Sequence, residues 1–267
     1  MPLFSQTQGT AQSPALVFLH GFLGNHHDWS ETIKHLKDCF YCISIDLPGH
    51  GNSASVTIPL DKGFETTNRL IKAVLDDLQI KEYILIGYSL GGRIALDYAR
   101  AQQDGNLKAL VLESCHSGYQ TQDEKDQRFA HDLNWAKRFA TQSVMQSLNQ
   151  WYEQDIFNDL SCEQKNNLVN NRSQNYGVCL ANMLLATSLA QQSDAYPFLQ
   201  NNAAQATPLP VYYCCGEKDN KFKTLGRALA KLENIQLTEF AGSGHNIHQQ
   251  NPLQYALFIK QHFSQSL

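Results

Sequence analysis

The sequence has little charge of either sign, no long apolar run and no complete metal-binding motif. Charged residues make up 17% of the 267 positions and the formal net charge is -4, which argues against a protein that binds nucleic acid through a basic face. The mean hydropathy is -0.38, and no apolar run approaches the roughly 20 residues of a membrane helix. Residues 1–13 lack the basic and apolar segments of a secretory signal. We therefore expect a cytoplasmic protein that does not enter a membrane.

The seven cysteines are an odd number, in agreement with a compartment that forms no disulfides. Cys39 and Cys42 have the spacing of a redox or zinc motif, but they lie in the apolar stretch 39–45, and no second pair completes a zinc site. Free cysteine behaves as a small buried hydrophobe. We therefore expect the cysteines to lie in the core, and we expect no metal and no cofactor.

Short apolar runs alternate with helical patterns over most of the chain. The runs are typical of strands covered on both faces of a parallel sheet, and they lie at residues 16–19, 41–45, 83–86, 109–112, 211–215 and 236–240. Between two of them, residues 64–78 place their apolar side chains on one helical face. This alternation predicts an α/β fold with a mostly parallel, doubly wound sheet.

The alternation stops between about residues 115 and 207. That stretch has no convincing strand, is rich in Gln, Asn, Asp and aromatic residues, and predicts helices at about 123–140, 143–153, 161–171 and 176–191. We expect it to cover the end of the sheet at which α/β proteins bind ligands. The predicted organisation is a core of residues 1–115 and 207–267 with an inserted helical cap of residues 116–206. A separate helical domain is the alternative.

The strongest chemical signal is the segment Gly87-Tyr-Ser-Leu-Gly91, which follows a predicted strand and precedes a predicted helix. In that setting the G-x-S-x-G pattern places its serine, Ser89, on a tight strand-to-helix turn. A surface serine in a glycine-rich turn is the alternative interpretation. Because a serine hydroxyl barely ionises at neutral pH, Ser89 needs a base, and the base needs an acid that orients it.

Asp219 and His245 are the candidate acid and base. Each follows a predicted strand, so both belong to the same edge of the sheet as Ser89, and the order serine, aspartate, histidine is that of the fold. Glu217 and His248 compete for these roles. Asp219 lies deeper in its loop than Glu217, and His248 falls where the next helix approaches, so we prefer the first pair.

The segment Leu19-His-Gly-Phe-Leu-Gly24 predicts an oxyanion hole. Its small residues let the backbone N–H of Phe22 point into the site, where it would act together with the N–H of Leu90. We expect His20 to hold loops through hydrogen bonds, and Asp46, which precedes the serine in the chain, to be structural. The remaining histidines considered are expected to be exposed helix residues without partners: His26, His27, His35, His131 and His262.

These motifs resemble the α/β-hydrolase superfamily over almost the whole chain, through His20-Gly-Phe22, the loop 46–53 and Gly87-Tyr-Ser-Leu-Gly-Gly92. Asp28-Trp29 and segment 215–222 extend the resemblance to one family of menaquinone biosynthesis, the 2-succinyl-6-hydroxy-2,4-cyclohexadiene-1-carboxylate synthases. The resemblance implies a lyase that eliminates pyruvate from 2-succinyl-5-enolpyruvyl-6-hydroxy-3-cyclohexene-1-carboxylate.

The resemblance also implies binding residues for a small anionic polycarboxylate substrate. These are Arg93, Arg128, Arg172, Tyr88 and Trp151. Arg93 lies four residues after Ser89, one turn along the same helix face, and guanidinium groups suit carboxylates through bidentate hydrogen bonds. For each arginine taken alone, a solvated helix residue is the alternative. Phe129 stands where we expect tryptophan in the family, a difference that concerns cap packing only.

In the implied mechanism, Ser89 acts as a general base that His245 activates, and no acyl-enzyme forms. The main alternative is a carboxylesterase or thioesterase that acts through an acyl-enzyme on Ser89, since the triad alone does not separate the two reactions. A binding protein without activity is a second alternative. The presence of all three triad residues opposes it.

Overall fold

The computed structural model describes residues 1–101 and 105–264, so residues 102–104 and 265–267 of the predicted core lie outside it. Its strands are β1 Ser5–Gln8, β2 Ala15–Leu19, β3 Tyr41–Ile45, β4 Tyr83–Tyr88, β5 Leu107–Glu113, β6 Val211–Gly216 and β7 Ile235–Phe240. They form a seven-stranded sheet in the order β1-β3-β2-β4-β5-β6-β7. β1 is antiparallel to β3, and the other neighbouring strands pair in parallel. The predicted mostly parallel α/β sheet is confirmed.

The helices lie between and after the strands. They are α1 Ser30–Lys34, α2 Gly63–Asp77, α3 Leu90–Ala101, α4 Gln122–Thr141, α5 Val144–Trp151, α6 Cys162–Arg172, α7 Gly177–Ala186, α8 Tyr196–Ala203, α9 Asn220–Leu229, α10 Ile247–Gln250 and α11 Pro252–Phe263. Local sequence signals set several starts. Thr121 and Glu124 form a capping box at α4, and Ser161 and Gln164 form one at α6. Over the described ranges, no helix is both long and apolar enough to span a bilayer.

Two apolar clusters cover the two faces of the sheet. Along β2, Val17 and Leu19 enter one cluster, whereas Leu16 and Phe18 enter the other. Successive side chains of a strand point to opposite faces, so a strand that is buried on both faces must be apolar at every position. This explains the unbroken apolar runs from which the strands were predicted.

Helices α4 to α8 lie between β5 and β6, in the segment predicted to be a cap. Helices α4 to α7 build a third apolar cluster around Phe139, Leu148 and Leu180, and Leu23 from the loop after β2 is buried in it. Leu199 of α8 instead joins one of the two clusters of the sheet. The helix predicted at 176–191 ends earlier, at Ala186, where the next carbonyl, that of Thr187, accepts a hydrogen bond from a side chain of α3. The division of the chain into core and cap stays a prediction.

Three details differ from the expectations. Strand β1 was not predicted, because Ser5–Gln8 is polar and pairs only at the edge of the sheet. Helix α8 was not predicted either. Cys39 and Cys162 are exposed rather than in the core, since β3 begins only at Tyr41 and Cys162 is the first residue of α6. All seven cysteines are free.

Candidate active site

Ser89 lies on a strained turn between β4 and α3. Its backbone φ is +50°, a left-handed conformation that is costly for a residue with a side chain. The flanking glycines permit the close approach of neighbouring backbone. A Cβ on Gly87 would lie 2.4 Å from the carbonyl oxygen of Gly91, and a Cβ on Gly91 would lie 2.2 Å from that of Leu19. The turn therefore has the geometry of a nucleophile elbow.

Ser89, Asp219 and His245 meet at the carboxyl edge of the sheet. His245 Nδ1 is 2.7 Å from Asp219 Oδ2, and Nε2 of the same ring is 3.4 Å from Ser89 Oγ. Asp219 and His245 are both buried, and the Asp219 carboxylate also accepts the N–H of Phe222 at the start of α9. This arrangement orients the imidazole toward the serine hydroxyl. It can make the hydroxyl act as a base or as a nucleophile.

The residues that competed for the triad roles have other partners. Glu217 accepts the N–H of Gly242 at the surface, and His248 contacts the buried carboxylate of Glu113. Asp46 accepts the N–H of Asn52 in its own loop. It is structural, as predicted.

The prediction that five histidines are exposed and unpaired is wrong for three of them. His26 is buried, with its backbone N–H 2.6 Å and its Nδ1 2.8 Å from Asp46 Oδ1. His131 Nδ1 lies 3.3 Å from its chain neighbour Asp132, and His262 Nδ1 lies 2.8 Å from the carbonyl of the preceding helical turn. For His26, the cause is the fold, which brings the loop after β2 onto the carboxylate that follows β3.

The predicted oxyanion-hole residues lie beside Ser89. Phe22 and Leu90 line the same cavity as the serine, and a Cβ added to Gly21 would lie 3.6 Å from the Ser89 Cβ. Leu90 is the first residue of α3, so its N–H has no acceptor within the helix. The role of the Phe22 and Leu90 N–H groups as an oxyanion hole stays a prediction.

Two buried histidines join the loop that carries Phe22 to the loop after β3. His20 Nε2 accepts the N–H of Leu47 at 3.0 Å, and His50 Nε2 accepts the N–H of Leu23 at 3.1 Å. Burial lowers the pKa of His20 and lowers the pKa of His50 to about 3, so both rings are neutral acceptors. The predicted loop-holding role of His20 is confirmed.

A cavity of about 840 Å³ opens at Ser89 and His245 and is lined by two of the predicted arginines. Arg93 is buried and donates to the Thr187 carbonyl at 2.7 Å, and Arg128 Nε is 2.8 Å from Asp132. Burial and then the charge of Arg128 lower the pKa of Arg93 to about 10. The Arg93 guanidinium therefore stays charged at neutral pH. Guanidinium groups donate well to carboxylates, so this cavity suits an anionic ligand.

A second cavity, of about 260 Å³, meets the first at the serine. Its lining includes Tyr88, Arg172 and several amide side chains, and Trp151 lines both cavities. Arg172 is buried, forms an ion pair with Asp28 at 3.1 Å and donates to the Phe22 carbonyl. The three arginines therefore do not form one cluster. Arg93 and Arg128 share the larger cavity, while Asp28 holds Arg172 at the smaller one.

Three polar residues in the region of the larger cavity were not predicted from the sequence. Lys221 lines the cavity and follows the predicted triad aspartate by two positions, in the first turn of α9, a signal that was available. His116 also lines it, and burial followed by the charges of Lys221 and Arg93 lowers its pKa to about 4. Asp132, the partner of Arg128, lies four residues after it on α4, a spacing that favours an ion pair.

Comparison with known proteins agrees with this geometry. The chain matches the alpha/beta hydrolase fold family over residues 14–252. It is 40% identical over 244 residues to the 2-succinyl-6-hydroxy-2,4-cyclohexadiene-1-carboxylate synthase of Salmonella typhimurium, covering 91% of each chain. It is 39% identical over 253 residues to the synthase of the same name from Yersinia enterocolitica, covering 95% of this chain and 88% of the relative.

Solved structures have the same fold. MenH from S. aureus has a TM-score of 0.85 at 26% identity, with 96% of each chain covered. A carboxylesterase from Nitrososphaera gargenis has a TM-score of 0.75 at 20% identity, with 98% of this chain and 94% of that chain covered, and it shares the fold alone. By these matches the chain belongs to the α/β-hydrolase family and, within it, to the family of the 2-succinyl-6-hydroxy-2,4-cyclohexadiene-1-carboxylate synthases.

Proposed function

We propose that the protein is a lyase of menaquinone biosynthesis. Its reaction is the elimination of pyruvate from 2-succinyl-5-enolpyruvyl-6-hydroxy-3-cyclohexene-1-carboxylate to give 2-succinyl-6-hydroxy-2,4-cyclohexadiene-1-carboxylate. The observation that carries the proposal is the position of Arg93 and Arg128 in the cavity onto which Ser89 and His245 open. A substrate with three carboxylates needs such cations, whereas a neutral ester does not.

The triad supplies the base. Ring carbon 2 of the substrate carries a hydrogen next to the succinyl ketone. Ser89 Oγ takes this hydrogen as a proton while its own proton passes to His245 Nε2, which Asp219 orients. General base catalysis of this kind contributes about 10²–10⁴-fold to the rate.

The electrons then move through the ring. Those of the broken C–H bond form the double bond between carbons 2 and 3, the former 3,4 double bond moves to carbons 4 and 5, and the bond from carbon 5 to oxygen breaks. The leaving group is the enolate of pyruvate, and it takes the proton from His245 to become pyruvate. All atoms are accounted for without an acyl-enzyme.

The backbone stabilises the charge that develops during this step. As the proton leaves, negative charge builds up on the oxygen of the succinyl ketone. The N–H groups of Phe22 and Leu90 would donate to that oxygen, and in support both residues line the cavity beside Ser89. One such donor is worth about 10²–10³-fold in rate.

The arginines would bind the carboxylates on the two sides of the serine. Arg93, Arg128 and Lys221 line the larger cavity. Arg172 lines the smaller one together with Tyr88. Trp151 lines both, so its ring would contact the apolar part of the substrate. The proposed ligand is therefore a small polycarboxylate.

The test is a progress curve of pyruvate release from the enolpyruvyl substrate. We expect rapid turnover in the parent and a rate at least about 10³-fold lower in Ser89→Ala, because a catalytic triad loses most of its rate enhancement when any one member is removed. The rate should also fall in Arg93→Ala. Ser193→Ala, which changes an exposed serine, is the control and should match the parent. Absence of pyruvate together with burst-phase hydrolysis of a p-nitrophenyl ester would instead identify the esterase or thioesterase reaction.

A cytoplasmic location is part of this proposal. Its support is that the seven cysteines are free, which suits a reducing compartment. Cell fractionation with an antibody to the native protein tests it. Recovery in the membrane or secreted fraction would contradict it.

A further inference from the structure

A buried carboxylate outside the triad contacts both the serine turn and the histidine loop. Glu113 is the last residue of β5 and is fully buried. Its carbonyl oxygen accepts the N–H of Ser89 at 2.9 Å. Its carboxylate accepts the N–H of Ile247 at 2.7 Å and that of His248 at 3.2 Å. One residue thus holds the serine through its backbone and the chain just after His245 through its side chain.

The ring of His248 strengthens this connection. Its Nδ1 lies 2.9 Å from both oxygens of the Glu113 carboxylate, and the ring is fully buried. It stacks on Trp29 with ring centroids 3.9 Å apart and an angle of 23° between the planes. The His248 carbonyl accepts the hydroxyl of Thr32. The ring is therefore held on several sides and cannot rotate away from the carboxylate without breaking these contacts.

Tyr88 connects the His248 ring to the triad. Its ring meets that of His248 edge-on at 4.9 Å and lies 5.3 Å from the ring of His245. Tyr88 also directly precedes Ser89 at the end of β4. A shift of the His248 ring would therefore press on the residue next to the serine and on the imidazole that serves it.

Stability alone gives little reason for this arrangement. A carboxylate and an imidazole with no solvent exposure lose their hydration, and a well-packed apolar pair is often at least as stable. The carboxylate instead fixes the orientation of its neighbours, because its two oxygens accept hydrogen bonds from three N–H groups at defined angles. Asp219 holds the His245 ring from the loop after β6. Glu113 instead joins the strand end that holds the Ser89 N–H to the chain just after His245.

We propose that Glu113 is a positioning residue for the triad. It sets the separation of His245 Nε2 and Ser89 Oγ by fastening residues 247 and 248 to the strand end that also holds the serine. The inference rests on the proposed triad but not on the identity of the substrate. It therefore remains testable if the pyruvate reaction proves wrong.

The experiment measures serine reactivity directly. A phosphonofluoridate phosphonylates a triad serine, because the Ser89 oxygen bonds to phosphorus, fluoride leaves and the hydroxyl proton goes to His245. In Glu113→Gln, which keeps the size and one acceptor oxygen, we expect the labelling rate and kcat to fall together by about 10- to 100-fold while KM changes less than twofold. Glu217→Gln, a surface carboxylate on the loop of the triad acid, is the matched control and should label like the parent.

A pair of variants at His248 provides a second measurement that does not depend on Glu113→Gln folding. His248→Asn keeps an N–H donor near the position of Nδ1, and we expect it to label within about threefold of the parent. His248→Leu removes the donor, and we expect it to label at least tenfold more slowly. Parent-like labelling in Glu113→Gln, or equal rates in the two His248 variants, would overturn the proposal. Loss of pyruvate release with the labelling pattern intact would overturn only the proposed function.

Discussion

At the scale of single residues, the loops around the serine depend on neutral histidines. His20 and His50 each accept a backbone N–H of the other's loop, across 27 positions of the chain. A protonated ring has no lone pair for such a bond. Leu23, which His50 holds, has a backbone φ of +73°, so the bond also secures a strained residue next to the oxyanion hole.

His50→Gln is expected to flatten the acid dependence of stability. Burial lowers the pKa of His50 to about 3 in the folded protein, from 6.5. Between these two pH values the unfolded state binds one more proton than the folded state. The stability that the neutral His50 ring contributes is therefore complete above pH 6.5 and is lost as the pH falls toward 3. The slope it adds to the free energy of unfolding is up to about 1.4 kcal/mol per pH unit.

Urea unfolding at several pH values between 7 and 4 measures this slope. The comparison uses the slope and not the absolute stability, because the substitution also removes a hydrogen bond. His35→Gln, at an exposed position, should keep the parent slope. Equal slopes in the His50 variant and the parent would show that this ring is not held neutral.

The cap arginines should affect the substrate without unfolding the sheet, beyond the stability lost because each also pairs with a carboxylate of the fold. We expect Arg128→Ala and Arg172→Ala to raise KM or lower kcat so that kcat/KM falls about 10- to 100-fold, the effect of losing one charge-assisted hydrogen bond of about 1.5–3 kcal/mol. Arg138→Ala is the control, because Arg138 also lies on α4 but packs on Trp135 outside the cavity. Steady-state kinetics and far-UV circular dichroism measure the two effects. If both cap variants behave like the parent, the carboxylate assignment is wrong.

At the scale of elements, the close contact between α3 and β2 makes the elbow possible. A Cβ on Gly91 would lie 2.2 Å from the Leu19 carbonyl oxygen and 2.6 Å from that of His20. Both atoms are backbone and cannot turn aside. The start of α3, with the Leu90 N–H, therefore keeps its place only while position 91 has no side chain.

Gly91→Ala is expected to destabilise the protein by about 1–3 kcal/mol, the usual cost of overpacking. It should reduce pyruvate release by a larger factor than the folded fraction falls, because Ser89 and Leu90 move with the helix. Urea unfolding and kinetics on the folded protein separate the two effects. Gly242→Asn, in open space at a φ of +71°, should leave activity unchanged, since asparagine tolerates this conformation. Full activity in Gly91→Ala would contradict the packing argument.

A helix or strand could be predicted where its own residues record whether it is buried. Strands β2 to β7 and helix α2 were predicted because apolar runs and a periodic apolar face record burial. Strand β1 was not, since its four polar residues form a strand only by pairing with β3. Helix α7 ends early for a similar reason, because the carbonyl after it bonds to Arg93 from α3.

At the scale of the whole molecule, the predicted core and cap should unfold together. Leu23, from the loop after β2, is buried in the apolar cluster of the cap, so neither part keeps its packing without the other. The tryptophans report on the two parts separately: Trp29 lies in a sheet cluster, and Trp135 and Trp151 lie in or against the cap cluster.

We therefore expect one cooperative transition. In the Trp135→Phe/Trp151→Phe double variant the remaining tryptophan fluorescence comes from the sheet cluster. In Trp29→Phe it comes from the cap cluster. Within each variant, the urea midpoint by fluorescence should coincide with that by far-UV circular dichroism, as two-state unfolding requires. A cap signal that is lost at clearly lower urea would indicate an independent helical domain.

The sequence has few charged residues, and their positions along the chain do not show which of them meet in the folded protein. By itself, the sequence determined the alternation of strands and helices, the serine turn and the triad candidates. Apolar periodicity and the G-x-S-x-G pattern are local, and each candidate triad residue follows a strand. Only the tertiary structure decided that Arg172 lines a different cavity from Arg93 and Arg128. It also decided that the Glu113 carboxylate binds the chain just after the triad histidine. These depend on contacts between residues more than 130 positions apart, and no local pattern records a partner at that distance.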